Sequence, residues 1–205
     1  MHTKAITQKD KTIFEKIQTI KGFYLAGGTG LALQIGHRIS VDFDLFSNQV
    51  IRKNFLYQIE KLFIGNNIEV SVNNSNELTL FINGVKVTFL YYPFPVLQPF
   101  VKYNSLPLLS IEEIAATKAY TIGRRGSFKD YVDMYFVLKD NYSTLGNITK
   151  LAERKYEEAF NARLFFEQLV YWEDVEAAEI VFLKTKVTRA HLENFFEKTI
   201  KNTKL

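Results

Sequence analysis

The stretch Tyr24–Ser47, YLAGGTGLALQIGHRISVDFDLFS, decides how the other residues of this chain are read. Leu25 and Ala26 run into Gly27-Gly28, residues that permit a tight turn or a close approach of backbone to a ligand. Thr29 to Ile35 has the spacing of a short amphipathic helix, with Leu31 and Ile35 four apart. Val41-Asp-Phe-Asp-Leu-Phe46 then alternates with period two, which predicts a strand with Val41, Phe43 and Leu45 on one face and Asp42 and Asp44 on the other. Two carboxylates side by side repel unless a positive charge sits between them, and a divalent cation is the usual solution. An exposed polar face of an edge strand is the competing reading of the same two residues. Gly27, Gly28 and Thr29 open a helix, where free N–H groups and the helix dipole favour a phosphate; a plain strand-to-helix turn is the alternative.

Outward from this stretch, residues 9 to 20 place Ile13, Phe14, Ile17 and Ile20 on one face of a helix that Gly22 ends. Ser47-Asn48 is a capping signal for a helix over about 50–64. Ile68, Val70 and Val72 alternate as a strand. Asn83-Gly84 between Leu78–Ile82 and Val85–Tyr91 predicts a type I′ hairpin, with Ile82 opposite Val85, Leu80 opposite Val87 and Thr79 opposite Thr88. Pro93, Pro95, Pro99 and Pro107 mark about 93–109 as a connecting segment over the surface. Ser110-Ile-Glu-Glu113 reads as a capping box for a helix whose apolar stripe is Ile111, Ile114, Ala115, Ala119 and Ile122. Lys118 falls within that stripe and needs an anion there. Gly123-Arg-Arg-Gly126 is a basic turn, followed by a helix over Phe128–Leu138 with Asp130 and Asp133 one turn apart. Further helices are expected at about 147–159, 161–171 and 188–201, the last capped by Thr188.

These readings sum to an α/β core over 1–109, with a small mixed sheet of strands near 23–26, 41–46, 68–73, 78–82 and 85–91, and a helical part over 110–205. Hydrophobic residues make up 47% of the 205 and aromatics 15%, which is the composition of an ordered globular protein. No apolar run reaches the roughly 20 residues of a membrane helix, and the N-terminus lacks the apolar core of a secretion signal. The absence of cysteine excludes disulfides and thiolate chemistry and agrees with a cytoplasmic location. His2, His37 and His191 are too scattered for a zinc site, and His37 reads as a surface residue. A net charge of +4 is compatible with an anionic partner and equally with simple solubility.

The pair Gly27-Gly28, thirteen residues, then Asp42-x-Asp44 resembles the signature of the polymerase-β-like nucleotidyltransferase superfamily. The wording LAGGTGLALQIGHRISVDFDLF, with Arg38 and Ser40 ahead of the acids, is similar to the AbiEii/AbiGii-type nucleotidyltransferase toxin family. The later run Ala-Ala-Thr-Lys118, Arg-Arg-Gly and Lys129-Asp-Tyr-Val-Asp133 matches that family's subsequent motifs, so the resemblance covers about residues 20 to 140. It implies the nucleotidyltransferase fold and transfer of a nucleoside monophosphate from an NTP to a hydroxyl, with Mg²⁺ or Mn²⁺ on Asp42 and Asp44. It implies nucleotide binding by Gly27, Gly28, Thr29, Arg38, Lys118 and Arg124, and support of catalysis by Asp130 or Asp133. A tRNA 3′ end or a protein side chain is the implied acceptor, and a cognate antitoxin the implied partner. The chain departs from the superfamily in one place. The third carboxylate, expected on the strand beside Asp42-x-Asp44, falls at Thr88 in GVKVTFLYYP, and a hydroxyl is neither a carboxylate base nor a charged metal ligand. Either two metal-binding acids work with an acid from the helical part, or the chain is a weak or inactive catalyst. A nucleotide- or RNA-binding module without catalysis, and a ligand-free interaction scaffold, are therefore the rival readings.

Overall fold

The structure, a computed structural model, describes residues 1–203. Contacts within the chain define two units. One comprises Met1–Pro95 with Pro99–Leu109; the other comprises Val96–Gln98 with the chain from Ser110 onward.

The first unit is built on a seven-stranded mixed sheet in the order β3-β4-β5-β2-β1-β7-β6. Its strands are β1 (Tyr24–Leu25), β2 (Phe43–Ser47), β3 (Ile68–Asn73), β4 (Glu77–Ile82), β5 (Val85–Tyr91), β6 (Val101–Tyr103) and β7 (Leu106–Leu108). β2 runs parallel to β5 and antiparallel to β1. The Asn83-Gly84 turn has positive φ at both residues, 50° and 78°, and it sets the β4–β5 register as expected: Ile82 opposite Val85, Leu80 opposite Val87, Thr79 opposite Thr88. Once that register is set, alternation sends Leu78, Leu80, Ile82, Val87 and Phe89 to one face. There they meet Phe43 and Leu45 of β2 and two helices, α1 (Gln8–Ile17) and α3 (Phe55–Leu62). Phe14 of α1 stacks on Phe43 with ring centroids 5.3 Å apart, and Phe55 of α3 packs edge-on to Phe89 at 4.9 Å. Each fully buried large apolar side chain of this kind contributes about 1.5–3 kcal/mol. The opposite face of the sheet therefore carries the polar alternates, among them Asp44, Thr79 and Thr88.

Several expectations are corrected here. The segment 93–109 is not only a surface connection: residues 101–108 form a second hairpin, with Leu106 and Leu108 1% and 0% exposed. The prolines at 93, 95 and 99 precede it, and Asn104 makes its turn at φ 52°. Pro107, which lacks an N–H, is tolerated because β7 registers with β1 only through Leu108 opposite Leu25. The strand expected over 41–46 starts at Phe43, and Val41, expected to share the buried face, is 45% exposed. The carbonyl of Asp42 accepts the hydroxyl of Thr29, so Asp42 is held by a side chain and the ladder begins one residue later. The helix expected over 50–64 spans only Phe55–Leu62, because Ser47 closes β2 and its hydroxyl accepts the N–H of Gln49 rather than capping a helix. The first helix ends at Ile17, before Gly22, and begins one residue earlier than expected, behind a Thr7–Asp10 capping box.

The second unit is helical: α4 (Ile111–Ile122), α5 (Phe128–Lys139), α6 (Leu145–Tyr156), α7 (Ala162–Val170) and α8 (Arg189–Asn202). Side chains of Thr144, Asn161 and Thr188 accept the N–H three residues on and start α6, α7 and α8. Tyr131, Phe136, Phe165 and Phe196 are wholly buried among them. The capping box expected at Ser110 is only half made. Ser110 accepts the N–H of Glu113, but the Glu113 carboxylate turns inward, accepting the N–H groups of Leu97 and Gln98 and pairing with Lys155. Among the described residues, no helix is long and apolar enough to cross a membrane.

Candidate functional site

In the first unit the candidate residues gather where β1 turns into α2 (Gly27–Ile35) beside β2. The N–H of Ala26 donates to the carbonyl of Asp44 at 2.8 Å, which holds the helix start against the middle of β2. Gly27 has φ +61°, and a Cβ there would overlap the Asp44 carboxylate. A Cβ on Gly28 would overlap the Arg38 guanidinium in the same way. The two glycines are thus required by close approach: one gives room to an anion and the next to a cation. The Thr29 side chain is buried, its hydroxyl donating to the Asp42 carbonyl and accepting from the Ser40 hydroxyl at 2.9 Å. It fastens the loop that delivers Asp42, while Asp42 and Asp44 are both part-exposed.

One residue of that loop differs from expectation: His37 is 0% exposed, not a surface residue. Its neighbour Arg38 is 4% exposed, with Nη1 donating to the Ile39 carbonyl at 3.1 Å. The α2 helix ends at Gly36 in the left-handed conformation, φ 63°, and this sharp reversal sends the following residues back under the helix. Polarity in the sequence placed His37 in solvent; the reversal buries it together with Arg38.

The second unit holds the other candidates. Lys118 of α4 is buried, and its ammonium finds two anions: Asp130 at 2.8 Å and Asp133 at 2.6 Å, both on α5. The second oxygen of Asp130 accepts from the N–H and hydroxyl of Ser127 at 3.2 and 3.0 Å. Burial works to raise the Asp130 carboxyl, but the charge and hydrogen bond of Lys118 outweigh it, so the group titrates below its ordinary value of 3.8. A lowered folded-state pKa stabilises the fold above the unfolded value and loses that contribution as pH falls through the folded one. The difference in urea midpoint between the wild type and Asp130→Asn should therefore be full at about pH 6 and shrink steadily below about pH 4. A difference that stays constant down to about pH 2 would contradict this origin. The Arg124 guanidinium sits over the Tyr120 ring, its carbon 3.7 Å from the centroid, and donates to the Ala159 carbonyl at 2.7 Å. Together with Arg125, Ser127, Asp130, Asp174 and Glu176 it lines a cleft of about 260 Å³.

Sequence reasoning missed two further features. One is the buried pair of Glu113 and Lys155, disguised because Glu113 fits a capping motif. The other is the environment of Thr88. Register places Thr88 of β5 directly beside Asp44 of β2, the position identified from the sequence. Behind it stand Thr79 and Glu77 of β4. For a cation, the chemistry on offer is two hard carboxylate donors: among the described residues, no group of three or more His, Cys, Asp or Glu side chains is placed to hold a metal by itself. Two carboxylates suit Mg²⁺, which retains waters and takes substrate phosphate oxygens for its remaining positions.

A family model described as "Nucleotidyl transferase AbiEii toxin, Type IV TA system" matches residues 14–77 and 82–204. An uncharacterized protein of Aquifex aeolicus is 30% identical, across 97% of both chains. Among solved structures, the nucleotidyltransferase toxin MenT4 of Mycobacterium tuberculosis superposes with a TM-score of 0.65 at 16% identity, covering 96% of this chain and 82% of that one. JHP933 of Helicobacter pylori superposes at 0.55 with 13% identity, covering 84% and 83%. At these identities the two structures establish a shared fold.

Proposed function

Because the chain belongs to the AbiEii family of nucleotidyltransferase toxins, we propose that it moves a nucleoside monophosphate from an NTP to a hydroxyl of RNA, a tRNA 3′ end foremost, with release of pyrophosphate. The observation that carries this reading is the Asp44 carboxylate lying in the space that Gly27 leaves at the start of α2. A triphosphate oxygen can there meet free N–H groups of the first helical turn, while the acids beside it offer oxygen ligands to a cation. Asp42 and Asp44 would hold Mg²⁺, or Mn²⁺ in its place, and the ion would supply charge neutralisation at the phosphates. Thr29 and Ser40 hold the Asp42 backbone in place. Arg38 presents a guanidinium beside Gly28 for phosphate. Lys118 takes the family's phosphate-contacting role, with Asp130 and Asp133 orienting its ammonium. Arg124 joins the nucleotide-binding set. The net charge of +4 suits an RNA acceptor, and a cognate antitoxin would keep the activity in check.

The test is incubation of the protein with each labelled NTP, Mg²⁺ and total RNA. Label should enter an RNA band from one preferred NTP, and chelation of the metal should abolish it. Label in protein bands alone would replace the RNA acceptor with a protein side chain. Labelling no greater than that of the Asp42→Ala, Asp44→Ala double variant would end the transferase reading.

A second reading has one observation in its favour, the threonine at position 88 beside Asp44. It is a protein of this fold that binds NTP without transferring it. Calorimetry showing Mg²⁺-dependent NTP binding, together with no labelling, would select it; absence of NTP binding would select a scaffold.

A further inference from the structure

The sheet face that carries Asp44 also carries a row of hydrogen-bonded side chains running away from it across two strands. Thr88 on β5 is in register with Asp44 on β2, and Thr79 on β4 is in register with Thr88. Residues in register share a face, and so do residues two apart on one strand, which brings Glu77 to the same side as Thr79. The Thr79 oxygen is 2.7 Å from Glu77 Oε1 and 3.2 Å from the Thr88 oxygen. A hydroxyl has one proton to give. The carboxylate can only accept, so Thr79 donates to Glu77 and must accept from Thr88. The row is therefore polarised in one direction: Thr88 to Thr79 to Glu77. The lone pairs of the Thr88 oxygen are left for whatever lies on its Asp44 side.

From this arrangement we propose that the third carboxylate of the site is Glu77, acting at a distance through the hydroxyls of Thr79 and Thr88. This rests on the transferase reading and supplies a carboxylate behind the strand position where that reading finds Thr88. In the step, the oxygen of the acceptor hydroxyl bonds to the α-phosphorus, and the bond from that phosphorus to the bridging oxygen of pyrophosphate breaks. The bonding pair leaves with pyrophosphate. The acceptor's proton passes to the Thr88 oxygen as the Thr88 proton passes to Thr79 and the Thr79 proton to Glu77. One proton enters the row and one arrives at the carboxylate, with both hydroxyls regenerated. Thr88 is the residue that touches the reacting hydroxyl; Thr79 and Glu77 are positioning residues behind it. Thr79 is 4% exposed, which keeps water from short-circuiting the middle of the row, whereas Glu77 is part-exposed and can return its proton to solvent. Other charged groups face this side of the sheet in the same unit. They include Asp44 from β2 with Asp42 just ahead of it, Lys86 from β5 and Glu69 from β3, the last two at the level of Phe81, four residues along β4 from Glu77.

The experiment compares wild type with Glu77→Gln, Thr79→Val and Thr88→Val in the labelling assay across pH, with NTP affinity measured by calorimetry. Each single variant should lower the transfer rate about 10²-fold, the usual contribution of a general base, with NTP affinity unchanged. The acid limb of the wild-type pH profile should vanish in Glu77→Gln. Combining Glu77→Gln with Thr88→Val should cost no more than either alone, because one route is broken once. Thr88→Asp in the Glu77→Gln background should restore transfer by placing a carboxylate at the reacting end. A readout without turnover is the ¹³C carboxyl resonance of Glu77, which should shift in Thr79→Val as the carboxylate loses its donor; an unmoved resonance means the bond is absent and overturns the relay. If wild type is active and Glu77→Gln keeps its rate and its acid limb, the relay alone falls. If wild type labels no more than Asp42→Ala, the transferase reading falls and takes the relay with it.

Discussion

Asp44→Asn should lower nucleotidyl transfer by at least about 10³-fold while leaving the fold in place. Asparagine keeps the volume of the side chain, so the space left by Gly27 is filled as before, and Asp44 points away from the apolar face formed by Phe43 and Leu45. What changes is the charge. A carboxylate that holds a cation against a triphosphate works in the transition state, where negative charge moves onto the leaving pyrophosphate. Losing such an interaction costs several kcal/mol, and about 4 kcal/mol corresponds to a 10³-fold loss. Single-turnover labelling at saturating NTP measures the rate, and a thermal melt measures the fold. The melt should move by no more than a few degrees. A variant within about tenfold of wild type would show that Asp44 is not a metal ligand, and the proposed site would have to be abandoned.

The sequence made the centre of this site legible because short-range rules govern it. Alternation in Val41–Phe46 assigned Asp44 to the face opposite Phe43 and Leu45, and the Asn83-Gly84 turn fixed the β4–β5 register that sets Thr88 opposite Thr79. A lysine inside an apolar stripe demanded an anion, and Lys118 has two. What escaped was set by long-range packing. His37 and Arg38 are polar loop residues whose burial follows from the reversal at Gly36. Leu106 and Leu108 pair with β6 in a local hairpin and join the sheet because Leu25 offers an edge to pair with, and four prolines nearby masked them. Glu77 was within reach of the argument: once Thr79 is placed opposite Thr88, period two puts Glu77 on the same face. Its bond to Thr79, however, depends on a side-chain conformation that no periodicity encodes.

Lys155→Met should destabilise the protein by about 3–5 kcal/mol, the largest loss of stability expected from a single volume-conserving change in the helical unit. Both side chains of the Glu113–Lys155 pair are 0% exposed, with Nζ 2.5 Å from Oε2. The other oxygen of Glu113 accepts the N–H groups of Leu97 and Gln98, at 2.5 and 2.9 Å. One carboxylate thus satisfies an ammonium from α6 and two backbone donors from the segment 96–98. Methionine fills the volume of the lysine stem, so the cost is not a cavity. It is a carboxylate left in the interior without its counter-ion. Glu113→Ala should be at least as harmful, since it strands the ammonium and two N–H groups together, each unsatisfied donor costing about 1–3 kcal/mol. Against a total stability of about 5–15 kcal/mol, either change consumes a large part of the margin. Glu113→Gln combined with Lys155→Met keeps an acceptor for Leu97 and Gln98 and removes both charges, so it should recover more than about 1 kcal/mol relative to the sum of the single losses. Urea denaturation of wild type, Glu113→Gln, Lys155→Met and their double variant measures the cycle, and Glu113→Ala is measured beside them. Should Lys155→Met fall within about 1 kcal/mol of wild type, the pair is not what holds α4, α6 and residues 96–98 together. The apolar packing of α4 against α6, where Ile114, Ala115 and Leu151 are buried, must do so instead.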